Sequence, residues 1–178
     1  MKISRVWAMP DKNTFDIPRI NSLIRQYVHG KSIDPFANVN KLALITNDID
    51  PNYPTEYHLD ALDFLKLFKN EDIDCVLYDP PFSPRQVSEV YTKMGKTVNT
   101  ETTQASFWSN LKKEIARITK INAIVIGCGW NSGGIGKKYG FELIEVLLVA
   151  HGGHHNDTIV TVERKVQKQY KSNTSLIE

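Results

Sequence analysis

Apolar runs that alternate with helix-like segments determine the fold class of this chain. Five runs read as buried strands because they are apolar and bounded by polar or turn-forming residues: KLALIT (41–46), IDCVLY (73–78), AIVIGC (123–128), FELIEVLLVA (141–150) and TIVTVERKV (158–166). Helical spacing of apolar residues predicts helices near 17–29, 61–68, 87–94 and 107–119. Strands that alternate with helices predict an α/β layer fold with a mostly parallel sheet.

The two ends of the chain refine that prediction. Residues 1–16 are polar and turn-rich, so we expect a loop entry there, and Ser32 and Ile33 read as a short strand ending at Asp34-Pro35. The last two runs are joined by seven turn-like residues, which predicts an antiparallel hairpin that places one antiparallel strand near a sheet edge.

Length and charge limit the function classes. The 178 residues fit one domain, which we place at 1–166, followed by a polar, flexible tail at 167–178. Lys and Arg total 22 against 20 for Asp and Glu, so a surface that is basic throughout is excluded, although a local basic patch is not. No apolar run is long enough to span a bilayer and no secretory signal is visible, which predicts a cytoplasmic protein without membrane contact.

Cysteine usage agrees with a reducing compartment. Cys75 and Cys128 lie singly within apolar runs, so we expect buried thiols and no disulfide framework. The segment from His151 to Asp157 holds three histidines, but it lacks separate metal-ligand spacing, and we expect no metal. We expect this segment to be a hairpin loop whose His and Asn side chains offer hydrogen bonds to the molecule that the site binds.

Carboxylates follow the predicted strands. Asp34, Asp48 with Asp50, and Asp79 follow three predicted strands, at the strand ends where ligands of α/β sheets bind. Asp60 follows a short extended piece and adds a fourth candidate. Such carboxylates can accept hydrogen bonds from ribose hydroxyls or amines, which favours a nucleoside-containing cofactor; helix capping and turn formation are the alternative for each residue.

The most informative segment is Asp79-Pro80-Pro81-Phe82. Two prolines fix the backbone and remove two amide donors, so the Asp79 carboxylate and nearby carbonyls can face a ligand as acceptors. Phe82 adds a flat surface for stacking. An amine donor suits that arrangement.

This tetrapeptide resembles the signature of the nucleic-acid amino-methyltransferases that use S-adenosylmethionine. The resemblance implies a Rossmann-like methyltransferase sheet in which Asp79 and the Pro80 carbonyl hold the target amino group, typically N6 of adenine, while Phe82 stacks on the flipped base. Pro81 completes this predicted catalytic motif.

Further segments resemble the cofactor motifs of that family, in the same order. They are Asp34-Pro35-Phe36-Ala37, the acidic strand end around Asp48, and His58-Leu59-Asp60-Ala61. The longer stretches around Asp79 and after Gly129 resemble small methyltransferase-like proteins of phages and mobile elements, which implies a bacterial host cytoplasm and a role linked to restriction and modification.

The cofactor half departs from the family. Asn38-Val39-Asn40 stands where Gly-x-Gly is usual, and the short spacings after Asp34 and Asp50 leave no room for the usual helices, which predicts a reduced number of helices. Asn13 and Thr14, in the turn before the first helix, are candidates to bind the methionine carboxylate; simple capping is the alternative.

The resulting prediction is an S-adenosylmethionine-dependent methyltransferase acting on adenine N6 in DNA, with a homodimer possible because little chain remains for target recognition. Three alternatives stay open. The pocket could degrade S-adenosylmethionine to defeat restriction, the chain could be a non-catalytic binding protein, or the acceptor could be cytosine N4 or a glutamine amide.

Overall fold

A seven-stranded mixed sheet forms the centre of the molecule. The computed structural model describes residues 1–95 and 105–167. Across the sheet, the order is β1 (Lys2–Trp7), β6 (Phe141–Ala150), β7 (Thr158–Lys165), β5 (Thr119–Gly129), β4 (Ile73–Tyr78), β2 (Ser32–Asp34) and β3 (Ile45–Thr46). Strand β7 runs antiparallel to β5 and β6, and all other neighbouring strands are parallel. The predicted mostly parallel sheet with its hairpin of β6 and β7 is confirmed.

Few helices cover this sheet. Those in residues 1–95 and 105–167 are α1 (Pro18–Tyr27), α2 (Ala61–Lys66), α3 (Pro84–Lys93) and α4 (Ala105–Ile118), with single 3-10 turns at Thr14–Asp16 and Lys137–Tyr139. One apolar cluster packs α1 against the sheet, and a second packs α2 and α4 against the opposite face. Burial on both faces explains why the central strands read as continuous apolar runs. Within the described ranges, no helix is long and apolar enough to cross a bilayer.

The N-terminal segment is a strand, and the expectation of a loop entry across residues 1–16 was wrong. Strand β1 pairs in parallel with β6 along its whole length, so the antiparallel strand β7 has two strands on its outer side. As an edge strand, β1 leaves Ile3 and Trp7 largely exposed. A strand with so few buried side chains lacks the apolar run that revealed the other strands.

The run KLALIT is a strand only at Ile45–Thr46, so the prediction of a six-residue buried strand was also wrong. Its partner β2 has three residues and pairs at two positions, which leaves Lys41–Leu44 without a ladder to join. Leu44 is correspondingly exposed. Residues 35–44, all described, form turns and no helix, as the short spacing predicted.

Two sequence predictions concern segments outside the described residues. Most of the polar connector predicted at 95–103 and almost all of the tail predicted at 167–178 lie there. The cysteine prediction can be checked, since Cys75 and Cys128 are both free and buried.

Candidate functional site

The candidate site lies where the strand order reverses. From β2 the chain continues outward to β3, whereas from β4 it continues in the opposite direction to β5. In open α/β sheets, ligands bind at such a switch point, beyond the carboxyl ends of the strands. Asp34 ends β2 and Asp79 directly follows β4, so this crevice receives two carboxylates.

Asp79 is held in an environment that disfavours its charge. Burial raises the pKa of its carboxyl to about 6, and a hydrogen bond from the Thr14 side chain acts in the opposite direction. Its Oδ1 atom is buried and has no hydrogen-bond partner among the described residues. A buried acceptor without a donor costs free energy, so this oxygen is a candidate to receive a ligand donor.

Asp34 repeats this pattern deeper in the protein. Its side chain is fully buried, Oδ1 accepts the Phe36 amide at 2.9 Å, and Oδ2 has no partner within the described chain. Burial raises the pKa of this carboxyl well above its usual range, and the neighbouring charges of Asp79 and Asp48 raise it further. The two acids therefore disfavour each other's ionisation.

The segment after Asp79 is fixed by side chains on both sides. The Phe82 amide donates to Gln86 Oε1 at 2.6 Å, and Ser83 caps α3 by accepting from the Gln86 amide at 3.3 Å. From α4, the Trp108 indole donates to the Pro81 carbonyl at 2.8 Å. These contacts hold the Pro80-Pro81-Phe82 turn in one position before any ligand binds.

A cavity of about 370 Å³ opens in front of this turn. Such a volume lies in the range of small-molecule sites. Its walls come from four parts of the chain: Lys12 and Thr14; Phe36 and Asn38; Asp48, Ile49, Asp50 and Tyr53; and the stretch Asp79–Phe82 with the α3 side chains Gln86, Glu89, Val90, Lys93 and Met94. We call this the front cavity. All four residues of the predicted catalytic motif line it, together with Thr14, Phe36 and Asp48 from the predicted cofactor set.

The loop after β2 is stiffened by local hydrogen bonds. Asp48 accepts the Asn38 amide at 3.0 Å and the Asp50 amide at 2.9 Å, and burial raises the pKa of the Asp48 carboxyl. Asn38 has a φ of 56°, which asparagine tolerates better than most residues, and its side-chain amide donates to Asn13 at 2.8 Å. Asn13 thus holds the loop and does not line the front cavity.

The remaining predicted cofactor residues lie beside this cavity. Pro35, Asp60 and Ala61 line, with Phe36, a small adjoining cavity of about 30 Å³, and Ala37 is buried. Asp60 caps α2 by accepting the Leu62 amide at 3.0 Å, and its other oxygen accepts the Tyr91 hydroxyl. Capping, the alternative open for Asp60, is therefore what the structure contains.

Sequence reasoning missed the two lysines of the front cavity, Lys12 and Lys93. Lys12 lies in the same turn as Thr14, and Lys93 of α3 forms an ion pair at 3.0 Å with Asp50 across the cavity. That pair lowers the pKa of Asp50, after the larger effect of the Asn52 amide hydrogen bond. Lysines in a turn and on an exposed helix carry no periodic signal, so only the folded arrangement reveals them.

The loop predicted to border a target has a structural anchor. The ring of His151 is buried and lies 2.9 Å from both the Ala8 carbonyl and the Thr158 hydroxyl, so it ties β1 to the hairpin. It is not a free hydrogen-bonding group for a target. Across residues 1–95 and 105–167, no group of three or more His, Cys, Asp or Glu is arranged to hold a metal ion.

Solved structures similar to this chain share its architecture. TrmN from Thermus thermophilus aligns over 84% of the chain with a TM-score of 0.53 and 16% identity. The Haemophilus influenzae protein HI0767, described as a "putative methylase", gives a TM-score of 0.50 and 13% identity over 84% of this chain and 94% of its own. The Escherichia coli protein yhhF, described as a "putative methyltransferase", gives a TM-score of 0.50 and 12% identity over 84% of this chain and 83% of its own. This chain has a methyltransferase fold.

The likeness has a defined extent. The chain spans 49% of the TrmN chain, so about half of that protein has no counterpart here. No protein-family model matches the sequence, and the comparison with curated proteins gives no match. The comparisons therefore show a shared fold.

Proposed function

We propose that this protein transfers the methyl group of S-adenosylmethionine to an exocyclic amino nitrogen, with N6 of adenine in DNA as the acceptor. One observation carries the proposal. In a methyltransferase fold, Asp79 presents a buried carboxylate oxygen that has no partner among the described residues, beside the Pro80-Pro81-Phe82 turn at a ligand-sized cavity. An amino group is the donor that this oxygen lacks.

The residues of the front cavity fit the cofactor. Phe36, Ile49 and Val90 offer apolar surface for the adenine ring, and Asp48 offers carboxylate oxygens for ribose hydroxyls. Lys12 supplies a positive charge for the methionine carboxylate, the task that the glycine-rich loop performs in the family this chain resembles. When bound there, S-adenosylmethionine supplies an electrophilic methyl group.

The chain's own groups then orient the acceptor. In this proposal, the Asp79 carboxylate accepts one hydrogen bond from the amino group and the Pro80 carbonyl accepts the second, so the nitrogen lone pair turns toward the cofactor. Phe82 provides the stacking surface for a base drawn out of the helix. With a pKa of about 6, Asp79 is charged at neutral pH and can receive the proton that the nitrogen loses.

Methyl-label transfer tests this proposal and separates its rivals. Wild-type protein, Asp79→Ala and the exposed control Asp63→Ala are incubated with methyl-labelled S-adenosylmethionine, with and without unmethylated DNA. Label in DNA with wild type and the control, but not with Asp79→Ala, supports transfer. Cofactor loss without DNA indicates a degrading enzyme, and absence of cofactor binding contradicts both enzymatic functions.

A further inference from the structure

A second cavity, of about 360 Å³, shares only Pro80 and Phe82 with the front cavity. We call it the rear cavity. Its other walls come from Tyr78 and Pro84, from Trp108 and Lys112 of α4, from the strands β5 and β7, and from the glycine-rich link after β5. The Pro80-Pro81-Phe82 turn therefore forms a partition with ligand-sized space on both sides.

Aromatic rings dominate the walls of the rear cavity. The Trp130 ring, 43% exposed, meets Phe82 edge to face with 5.7 Å between centroids. Trp108 is fixed by its hydrogen bond to the Pro81 carbonyl. Large aromatic surfaces that face open space are suited to stack on a planar heterocycle.

The link that carries Trp130 is anchored to the sheet. Buried Glu163 on β7 accepts the amides of Ile135 at 2.6 Å and Gly136 at 2.8 Å. Gly134 has a φ of 49°, and a Cβ added there would collide with the Glu163 carboxylate, so glycine is required at this position. The cavity wall is thus preformed.

Polar groups in the rear cavity point to a nucleotide. The Tyr78 residue is 4% exposed, and its hydroxyl has no hydrogen-bond partner among the described residues. Lys112 carries the only charge among the described residues that line the cavity. A buried hydroxyl without a partner suits a base edge, and a lysine suits a phosphate.

We propose that the rear cavity binds the acceptor nucleotide, with its base against Phe82 and Trp130 and its phosphate at Lys112. This inference rests on the proposed function, since Pro80 and Phe82 line both cavities and Asp79, the acceptor of the amino group in that proposal, directly precedes Pro80. Trp130 and Lys112 then determine acceptor affinity and have no part in cofactor binding.

Binding of small probes tests this assignment without turnover. Deoxyadenosine and deoxyadenosine 5′-monophosphate are titrated by calorimetry into wild type, Trp130→Ala and Lys112→Gln. Matched controls are Trp7→Ala, on the edge strand β1, and Lys113→Gln, exposed on the same helix as Lys112. Thermal melting verifies folding, with Trp130→Leu and Lys112→Met as substitutes for a variant that fails to fold.

The expected pattern has two parts. Trp130→Ala lowers the affinity for both probes by about fivefold or more, because a ring that stacks on the base is lost. Lys112→Gln lowers the affinity for deoxyadenosine 5′-monophosphate alone. The variant therefore loses the preference of wild type for the monophosphate over deoxyadenosine. Neither variant changes the affinity for S-adenosylmethionine, and the controls leave all affinities unchanged.

The outcomes separate this inference from the proposed function. Wild type that binds the cofactor but neither probe, or variants with unaltered probe affinity, overturns the rear cavity as the acceptor site and leaves methyl transfer standing. The expected probe pattern without label transfer to DNA supports the nucleotide site and contradicts the methyltransferase.

Discussion

Asp34 and Asp79 lie at the carboxyl ends of adjacent strands, and each has one buried oxygen without a hydrogen-bond partner among the described residues. Burial raises the pKa of Asp34 well above its usual range, and the charge of Asp79 raises it further. A structure that keeps two such acids close together, with so few compensating donors, is arranged for ligand donors rather than for stability.

The pKa of Asp79 predicts the acid limit of activity. Because its carboxylate must accept the amino group, methyl transfer by wild type is expected to fall about tenfold for each pH unit below about 6. Asp79→Asn keeps an oxygen acceptor without a titrating proton, so its reduced activity loses this acid limb. Initial rates from pH 5 to 8 give the comparison, with the exposed Asp63→Asn as the control; an unchanged limb in Asp79→Asn contradicts the assignment.

The same pKa predicts a gain in stability from Asp79→Asn. A carboxyl whose pKa is raised on folding binds its proton more tightly in the native state, so the free energy of unfolding of wild type falls as the pH rises from about 4 to about 6. At pH 8, the free energy of unfolding of Asp79→Asn is expected to exceed that of wild type by up to about 3 kcal/mol. Urea unfolding at pH 4 and pH 8 measures the difference, which is expected to shrink at pH 4. A less stable variant at pH 8 would refute the burial argument.

Lys12 is predicted to recognise the cofactor carboxylate. Lys12→Gln should lower the affinity for S-adenosylhomocysteine by about tenfold, because a charge-assisted hydrogen bond to its carboxylate is lost. Methylthioadenosine, which has no carboxylate, should bind the variant and wild type equally. Lys69→Gln, exposed and outside the cavity walls, is the control. Equal weakening of both ligands by Lys12→Gln would show that Lys12 acts in another way.

Asp60 is predicted to serve the fold. Both of its oxygens are occupied, by the Leu62 amide and the Tyr91 hydroxyl. Asp60→Ala removes the cap of α2 and should lower the free energy of unfolding by about 1 kcal/mol, with a further loss from the Tyr91 contact. Cofactor affinity of the folded variant should change less than twofold. A large loss of affinity at unchanged stability would restore Asp60 to the cofactor site.

The sequence predicted an element best where the residues of that element alone defined its type and its ends. Strand β4 has the predicted bounds 73–78 because a run with five apolar residues out of six is followed, after Asp79, by two prolines. The edge strands gave little signal, since four of the six residues of β1 are exposed and most of KLALIT has no partner strand.

Site residues followed the same division. The Asp79–Phe82 motif and Thr14 could be named from local pattern, and the structure brings them together at one cavity. The positions of Lys12, Trp130 and Lys112 depend on how a turn, a link and a helix meet around Pro80, which no local pattern encodes. Asp60 is the opposite case: its position after an extended segment suggested a cofactor ligand, whereas in the structure it caps α2.

Quantifying N6-methyldeoxyadenosine in nuclease-digested DNA is the most direct test of the central claim. Unmethylated DNA is incubated with S-adenosylmethionine and either wild type, Asp79→Ala or Asp63→Ala, and the nucleosides are measured by mass spectrometry. We predict that wild type and Asp63→Ala form N6-methyldeoxyadenosine and that Asp79→Ala forms at least about a hundredfold less, because the amino group loses its acceptor. Absence of the product with folded, cofactor-bound wild type, or equal formation by Asp79→Ala, would contradict the account.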